Sequence, residues 1–258
     1  MDDTPKTPPE PKVDSTLSKG LLILEALAAA PEARGVTDLS RDLGLTKSNV
    51  FRLLQTLTTL GYVRHTPDKL YRATLKTWQV GRSVVEGLSL RDLAALEMQM
   101  LSRETGEAVY LAVPEGLFVV YVDKIESRQP IRTWNPIGGT APIHAVSTGK
   151  AILAADYATY RPQLTGALTR YTDQTLTDFA ALEADLSRAR KQGYAVDTGE
   201  FRDRVLGFAA PIHLPDGAVI AAIGISLPDM NLAEGDSARL GALVRTAGRA
   251  VTDRLRAT

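Results

Sequence analysis

Residues 36–73 read "VTDLSRDLGLTKSNVFRLLQTLTTLGYVRHTPDKLYRA". The opening of this stretch makes a short helix, with Leu39 and Leu43 on one face, Thr37 where a cap belongs and Gly44 as terminator. A longer helix starts within about three residues and runs to Gly61, the spacing of a helix-turn-helix. "YVRHTPDKLYRA" then gives two short alternating runs around Pro67-Asp68, a β-hairpin. Upstream, "LSKGLLILEALAAA" supplies another helix, with Leu21, Leu24, Leu27 and Ala28 at helical spacing, Ser18 as its expected cap and Pro31 as its stop. Three helices followed by a hairpin predict a winged helix. A small helical bundle with an appended hairpin fits the same pattern, so the surface of the third helix carries the decision.

At about 100° per residue, Val50, Leu53, Leu54, Leu57 and Leu60 fall on one side of that helix. Ser48, Arg52, Gln55 and Thr59 fall opposite, flanked by Asn49 and Phe51. The outer face thus holds neutral hydrogen-bonding groups and a positive charge but no carboxylate, which suits phosphates and base edges. Phe51, a large aromatic on the solvent side, either meets a thymine methyl or sugar or folds back onto the wing.

The charge distribution agrees with a polyanion at this end. The 258 residues carry 30 basic and 30 acidic side chains, yet residues 15–90 hold ten Lys/Arg against six Asp/Glu. With 44% apolar and 23% charged residues the chain reads as globular, and no apolar run is long enough to span a bilayer. The absence of cysteine excludes disulfides and thiolate metal sites and fits a reducing cytoplasm, the expected location. Residues 1–14, "MDDTPKTPPEPKVD", are proline-rich with almost nothing to bury and predict a disordered tail.

Residues 15–74 therefore form the expected DNA-binding domain. "LKTWQVGRSVVEG", with Leu75, Trp78, Val80 and Val84 at helical spacing, predicts a linker helix over 75–88. A second domain, 89–258, begins with the amphipathic "LRDLAALEMQMLSRETG". Apolar runs at "AVYLAV" and "LFVVYVDKI" follow, then the Gly/Pro-rich crossing "QPIRTWNPIGGTAP" and a helix starting in "HAVSTGKAIL". After a helix over "TDFAALEADLSRARKQG" come strands at "YAVDTGE", "VLGFAAPIHL" and "AVIAAIGISL", and a last helix over "RLGALVRTAGRAVTDRL". The fold class is α+β, a mostly antiparallel sheet flanked by helices.

"HAVSTGKAIL", 144–153, invites a phosphate-loop reading that its residues refuse. His144 stands where the first glycine of G-x-x-x-x-G-K-[ST] is required and Ala151 where the magnesium hydroxyl is required. His65, His144 and His213 have no metal-ligand spacing, and Ser147 lacks a nucleophile elbow and a nameable base, so no metal, cofactor or catalytic residue is expected.

In order and spacing, "GLTKSNVFRLLQTLTTLGYV", "ETGEAVYLAV", "PIHAVSTGKAIL", "QGYAVDTGEF" and "FAAPI" resemble the IclR family of bacterial transcription regulators over nearly the whole folded chain. The resemblance implies an N-terminal winged helix-turn-helix and a C-terminal GAF-like α+β effector domain. It further implies a homodimer or homotetramer on double-stranded operator DNA, more often a repressor than an activator, and a small-molecule effector that modulates binding. It points to Lys47, Ser48, Asn49 and Arg52 in the major groove. Phe51 and Thr46 stand where family members often carry His and Pro.

On physical grounds Lys47 and Ser48 would position phosphate while Asn49, Arg52 and Gln55 reach base edges. Arg64 and Lys69 on the wing contact the DNA backbone or are simply solvated. For the effector, the resemblance implies Ser147, Thr148, Asp197, Val205, Gly207, Gly224 and Ser226. An apolar pocket with hydroxyls, a carboxylate and a helix amino terminus suits a small metabolite carboxylate. Arg204 replaces a usual family glycine and either makes the pocket more cationic or points to solvent. Lys150 is expected to serve structure or the pocket rim rather than a nucleotide. Two other readings stay open, an enzyme domain fused to a DNA-binding module and a first domain that binds only protein.

Overall fold

The computed structural model describes residues 14–86, 90–133 and 135–257, with only the backbone for 82–86. Of the expected tail only Asp14 lies among them. The chain divides into two compact units, Met1–Gly87 and Leu88–Thr258.

In the first unit, α1 (Ser15–Ala28), α2 (Val36–Leu43) and α3 (Lys47–Thr59) precede β1 (Val63–His65), β2 (Tyr71–Ala73) and α4 (Leu75–Glu86). Two expected caps were misplaced. Asp14, not Ser18, caps α1 by accepting from the Thr16 and Leu17 N–H groups, and α2 starts one residue before Thr37, with Gly35 at its N-cap. Both shifts follow from the chain reaching helical geometry earlier than the apolar periodicity required. Gly44 takes a left-handed φ of 64° and closes α2, while Ser40 Oγ donates to the Leu45 carbonyl at 2.5 Å and stiffens the turn into α3.

Ile23, Leu27, Leu39, Val50, Leu53, Leu54, Val63 and Tyr71 make the core of this unit. Leu57 joins at its margin, but Leu60, expected inside, is 52% exposed because it follows the last turn of α3. The hairpin gains a third backbone partner where Arg34 and Tyr71 exchange N–H···O bonds at 2.8 Å. On α4, Leu75, Trp78 and Val80 are exposed.

The second unit is built on one six-stranded, wholly antiparallel sheet, ordered β5-β4-β3-β8-β7-β6. Its strands are β3 (Ala108–Glu115), β4 (Phe118–Ile125), β5 (Thr140–Pro142), β6 (Ala195–Thr198), β7 (Val205–His213) and β8 (Val219–Pro228). Its helices are α5 (Leu90–Thr105), α6 (Ser147–Ala155), the short α7 (Tyr157–Tyr160), α8 (Phe179–Gln192) and α9 (Ser237–Ala257). Alternation along β3 sends Ala108, Tyr110 and Ala112 to a core with α6 and α8, and Val109 and Leu111 to a core with α5 and α9. Both faces are covered, which is why the strands read as nearly unbroken apolar runs.

Candidate DNA-reading face and ligand pocket

Thr46 sits in extended backbone geometry ahead of α3 and its hydroxyl accepts from the Asn49 N–H, so the helix begins at Lys47. Lys47, Ser48, Phe51, Arg52 and Gln55 are exposed on one side and Asn49 is half-buried. Phe51 is 46% exposed and stays outside the core cluster. Arg52 Nη2 donates to Asn49 Oδ1 at 3.3 Å, which ties the two side chains together one turn apart.

On the wing, Arg64 and Lys69 are both exposed, and Lys69 occupies the turn with a left-handed φ of 60°. Arg64 lies directly across from Arg72 in the hairpin register. Like charges in opposed positions destabilise a strand pair, and the Arg72 guanidinium donates to the Pro31 carbonyl at 3.1 Å. Arg72, which the sequence reading missed, becomes visible only through that register.

In the second unit all seven residues named for the effector line one pocket, together with Tyr110, Tyr121, Thr133, Asn135 and Arg202. They converge from α6, β6, β7 and β8. The cavity measures about 30 Å³, room for one or two waters. Its floor depends on missing side chains: a Cβ on Gly207 would stand 2.5 Å from Ser147 Oγ, and one on Gly224 2.7 Å from the Ala209 Cβ. Gly149 brings α6 against the chain before it, since a Cβ there would lie 2.1 Å from the Ile143 carbonyl oxygen.

No side chain caps α6, whose first N–H groups lie beside the pocket residues Ser147 and Thr148. The Tyr110 hydroxyl is buried without a hydrogen-bond partner among the described residues, and the buried Thr148 hydroxyl lies beside that of Tyr121. Burial, reinforced by the Tyr110 hydroxyl, drives the Tyr121 hydroxyl far above the usual phenol range and keeps it a neutral donor. Asp197 is 5% exposed, and burial pushes its pKa up to about 7 even though its Oδ1 accepts from the Gly199 and Glu200 N–H groups at 3.0 and 2.8 Å.

Beneath the pocket Lys150 takes the structural one of its two expected roles rather than the rim. It is 1% exposed, and its Nζ lies 2.6 Å from each of Asp185 Oδ2, Glu200 Oε1 and the Val196 carbonyl. Burial raises the Glu200 pKa, and Lys150 opposes that rise. Of the two alternatives for Arg204, the solvent-facing one holds. That residue keeps the left-handed φ of 60° that suits a glycine, but its side chain is 71% exposed and pairs with Asp229 at 3.0 Å. Arg202, two residues earlier, lines the pocket instead. His144 is buried, held neutral by that burial, and bonds through Nε2 to the Thr169 carbonyl at 3.1 Å, a structural role.

No group of three or more His, Asp or Glu among the described residues could hold a metal, and no helix among them is long and apolar enough to cross a membrane.

Comparison with known proteins matches residues 16–67 to the IclR helix-turn-helix domain and residues 82–253 to the bacterial transcriptional regulator IclR C-terminal domain. The chain is 33% identical to the HTH-type transcriptional regulator KdgR of Escherichia coli over 94% of its own length and 93% of that protein. It is 31% identical to the HTH-type transcriptional repressor AllR of Salmonella typhi over 96% and 92%. A crystal structure of an IclR homolog from Microbacterium hydrocarbonoxydans, complexed with 4-hydroxybenzoate, superposes with a TM-score of 0.81 at 26% identity, covering 95% of this chain and 100% of that one. A winged helix with a carboxylate-free reading face, an α+β unit with an enclosed polar pocket, and these matches over both units place the chain in the IclR family of bacterial transcriptional regulators.

Proposed function

We propose that this regulator represses by binding operator DNA through α3 and the wing, and that a small carboxylate held between α6 and the sheet modulates that binding. On the DNA side, Lys47, Ser48, Arg64 and Lys69 hold phosphates while Asn49, Arg52 and Gln55 meet base edges and Phe51 makes apolar contact. The Arg52 guanidinium and the Asn49 amide N–H groups together make the tied pair rich in donors, which favours acceptor-rich edges such as guanine O6 and N7. The exposed leucines of α1, Leu17, Leu21 and Leu22, and the exposed apolar residues of α4 support assembly as a homodimer or homotetramer. Such assembly matches the two half-sites of an operator, and the cysteine-free composition supports a cytoplasmic location.

One observation carries the ligand reading: a helix N-terminus without a side-chain cap and the buried hydroxyls of Thr148, Tyr110 and Tyr121 meet at the same cavity. Those donors suit a carboxylate, and Asp197, titrating near neutrality, offers a proton to it or repels it. The cavity is smaller than any organic acid, so a ligand enters by displacing rim groups such as the exposed Arg202. Linkage then shifts the regulator toward the arrangement that accommodates the ligand.

The test is fluorescence anisotropy on DNA adjoining the protein's own gene, followed by titration with small aliphatic and aromatic carboxylates. Sequence-selective, salt-dependent binding that one carboxylate changes is the expected result. Arg52→Ala should relax discrimination at one base pair by about 1–3 kcal/mol. Absence of selective binding on that DNA and on a random oligonucleotide pool rejects the proposal.

A further inference from the structure

A second and far larger cavity lies on the second unit, away from the residues named for the effector. The register of β6 on β7 ends at Ala195↔Ala209, so β7 continues through Ala210 to His213 paired with β8 alone, its other edge carrying no strand among the described residues. Over this bare edge α6 and the end of α8 approach from one face of the sheet and α9 from the other, enclosing about 520 Å³. Small side chains keep the space open: Ala154 and Ala155 of α6, Ala189 of α8 and Ala210 of β7 all line it.

Its walls are strongly cationic. Arg190 comes from the last turn of α8, and Arg245, Arg249 and Arg256 come from one side of α9. Asp253 is the single carboxylate among the lining residues and pairs with Arg256 at 3.7 Å. The other three guanidinium groups make no ion pair among the described residues. Arg245 reaches the Gln192 carbonyl at 3.1 Å, Arg190 reaches only the Ala154 carbonyl at 3.5 Å, and Arg249 has no hydrogen bond to a described residue. Helix C-termini account for the placing of Arg190 and Arg256, but not for Arg249 or for the open volume between them.

A bare strand edge could instead accept a strand from another chain, and two features oppose this. Pro211 has no N–H to donate, and the His213 N–H is already taken by Thr252 Oγ1 of α9 at 3.1 Å. Excess positive charge, planar donor forks and a volume in the range of small-molecule sites suit a compact anion with several charges.

We propose that this cleft binds a small polyanion, carrying two or more carboxylate or phosphate groups, independently of the effector pocket. The experiment is titration calorimetry of the full-length protein at constant ionic strength, with citrate and inorganic pyrophosphate as separate probes to distinguish polycarboxylate from phosphate chemistry. Saturable binding of one probe per chain is expected, weakened at least tenfold by Arg249→Glu and by the cavity-filling Ala155→Trp, and unchanged by Asp197→Asn. Both of the first two positions are exposed, so the variants should keep the parent circular dichroism and Tm. Should either variant misfold, Arg190→Gln at another exposed position carries the same expectation. No saturable heat from either probe, unchanged affinity in the cleft variants, or loss of binding in Asp197→Asn would each overturn the proposal. It is equally overturned if the cleft variants alter the association state or the DNA affinity while leaving probe binding intact, since the arginines would then serve an interface or a polynucleotide.

Discussion

In the first unit Lys47, Arg52, Arg64 and Lys69 all stand in solvent, whereas in the second Ser147, Thr148 and Asp197 are 6%, 4% and 5% exposed. The charged groups accompanying them differ in the same way. Arg64 and Arg72 stand opposite each other in the register at the surface, where water softens their repulsion, while Lys150 and Glu200 are locked together where water does not reach. A surface reader tolerates charge substitutions with little cost to the fold and pays for them in DNA affinity. An interior sensor ties its binding chemistry to its own stability.

The contrast is broken most severely at Lys150. Lys150→Met keeps the volume but leaves the buried Glu200 carboxylate without its cation, and should cost about 3–5 kcal/mol in urea unfolding followed by circular dichroism. Lys47→Met, at an exposed position, should stay within about 0.5 kcal/mol. Similar losses for the two variants would abolish the distinction between the units.

Asp197 gives a smaller, pH-dependent effect. Its native pKa is raised from 3.8 to about 7, so the fold favours the protonated acid; that stability is intact below the unfolded value and is lost as pH rises through about 7. Asn keeps the acceptor for the Gly199 and Glu200 N–H groups without the charge. Asp197→Asn should therefore stabilise the protein increasingly from about pH 4, reaching up to about 4 kcal/mol above pH 7. A thermal-denaturation series that shows no pH dependence in the difference would place the titration elsewhere. The same variant should weaken the tightening of carboxylate binding as pH falls through neutrality.

The smallest effect sharpens the surface side. Arg64→Thr removes one of two opposed like charges and should stabilise the free protein by about 0.2–1 kcal/mol. The same change should weaken operator binding and reduce its salt slope by about one. Unchanged DNA affinity would leave Arg64 as a solvated charge.

The order of helices and strands was legible because each element carries its own periodicity. Val50, Leu53 and Leu54 turn inward on α3, and alternate residues of β3 reach opposite cores. Errors gathered at element ends, as at Ser18, Thr37 and Leu60, where periodicity stops and a single hydrogen bond or one more helical step decides. The effector residues came from the family resemblance, and the structure brings all seven to one cavity. Their neighbours Tyr110 and Arg202 were missed, since nothing local marks a strand tyrosine as pocket-facing or separates Arg202 from Arg204.

By itself the sequence determined the winged helix, the carboxylate-free face of α3 and the α+β class of the second unit, because helical and strand repeats are written within a few residues. Only the tertiary structure decided that Lys150 lies beneath the pocket, that Arg72 opposes Arg64, and that four arginines surround an uncovered strand edge. Lys150 and Glu200 are 50 residues apart in the chain, and a charge at such a distance has no partner until packing supplies one. Burial and electrostatics depend on those long-range meetings, and hydrophobic spacing along the chain does not record them.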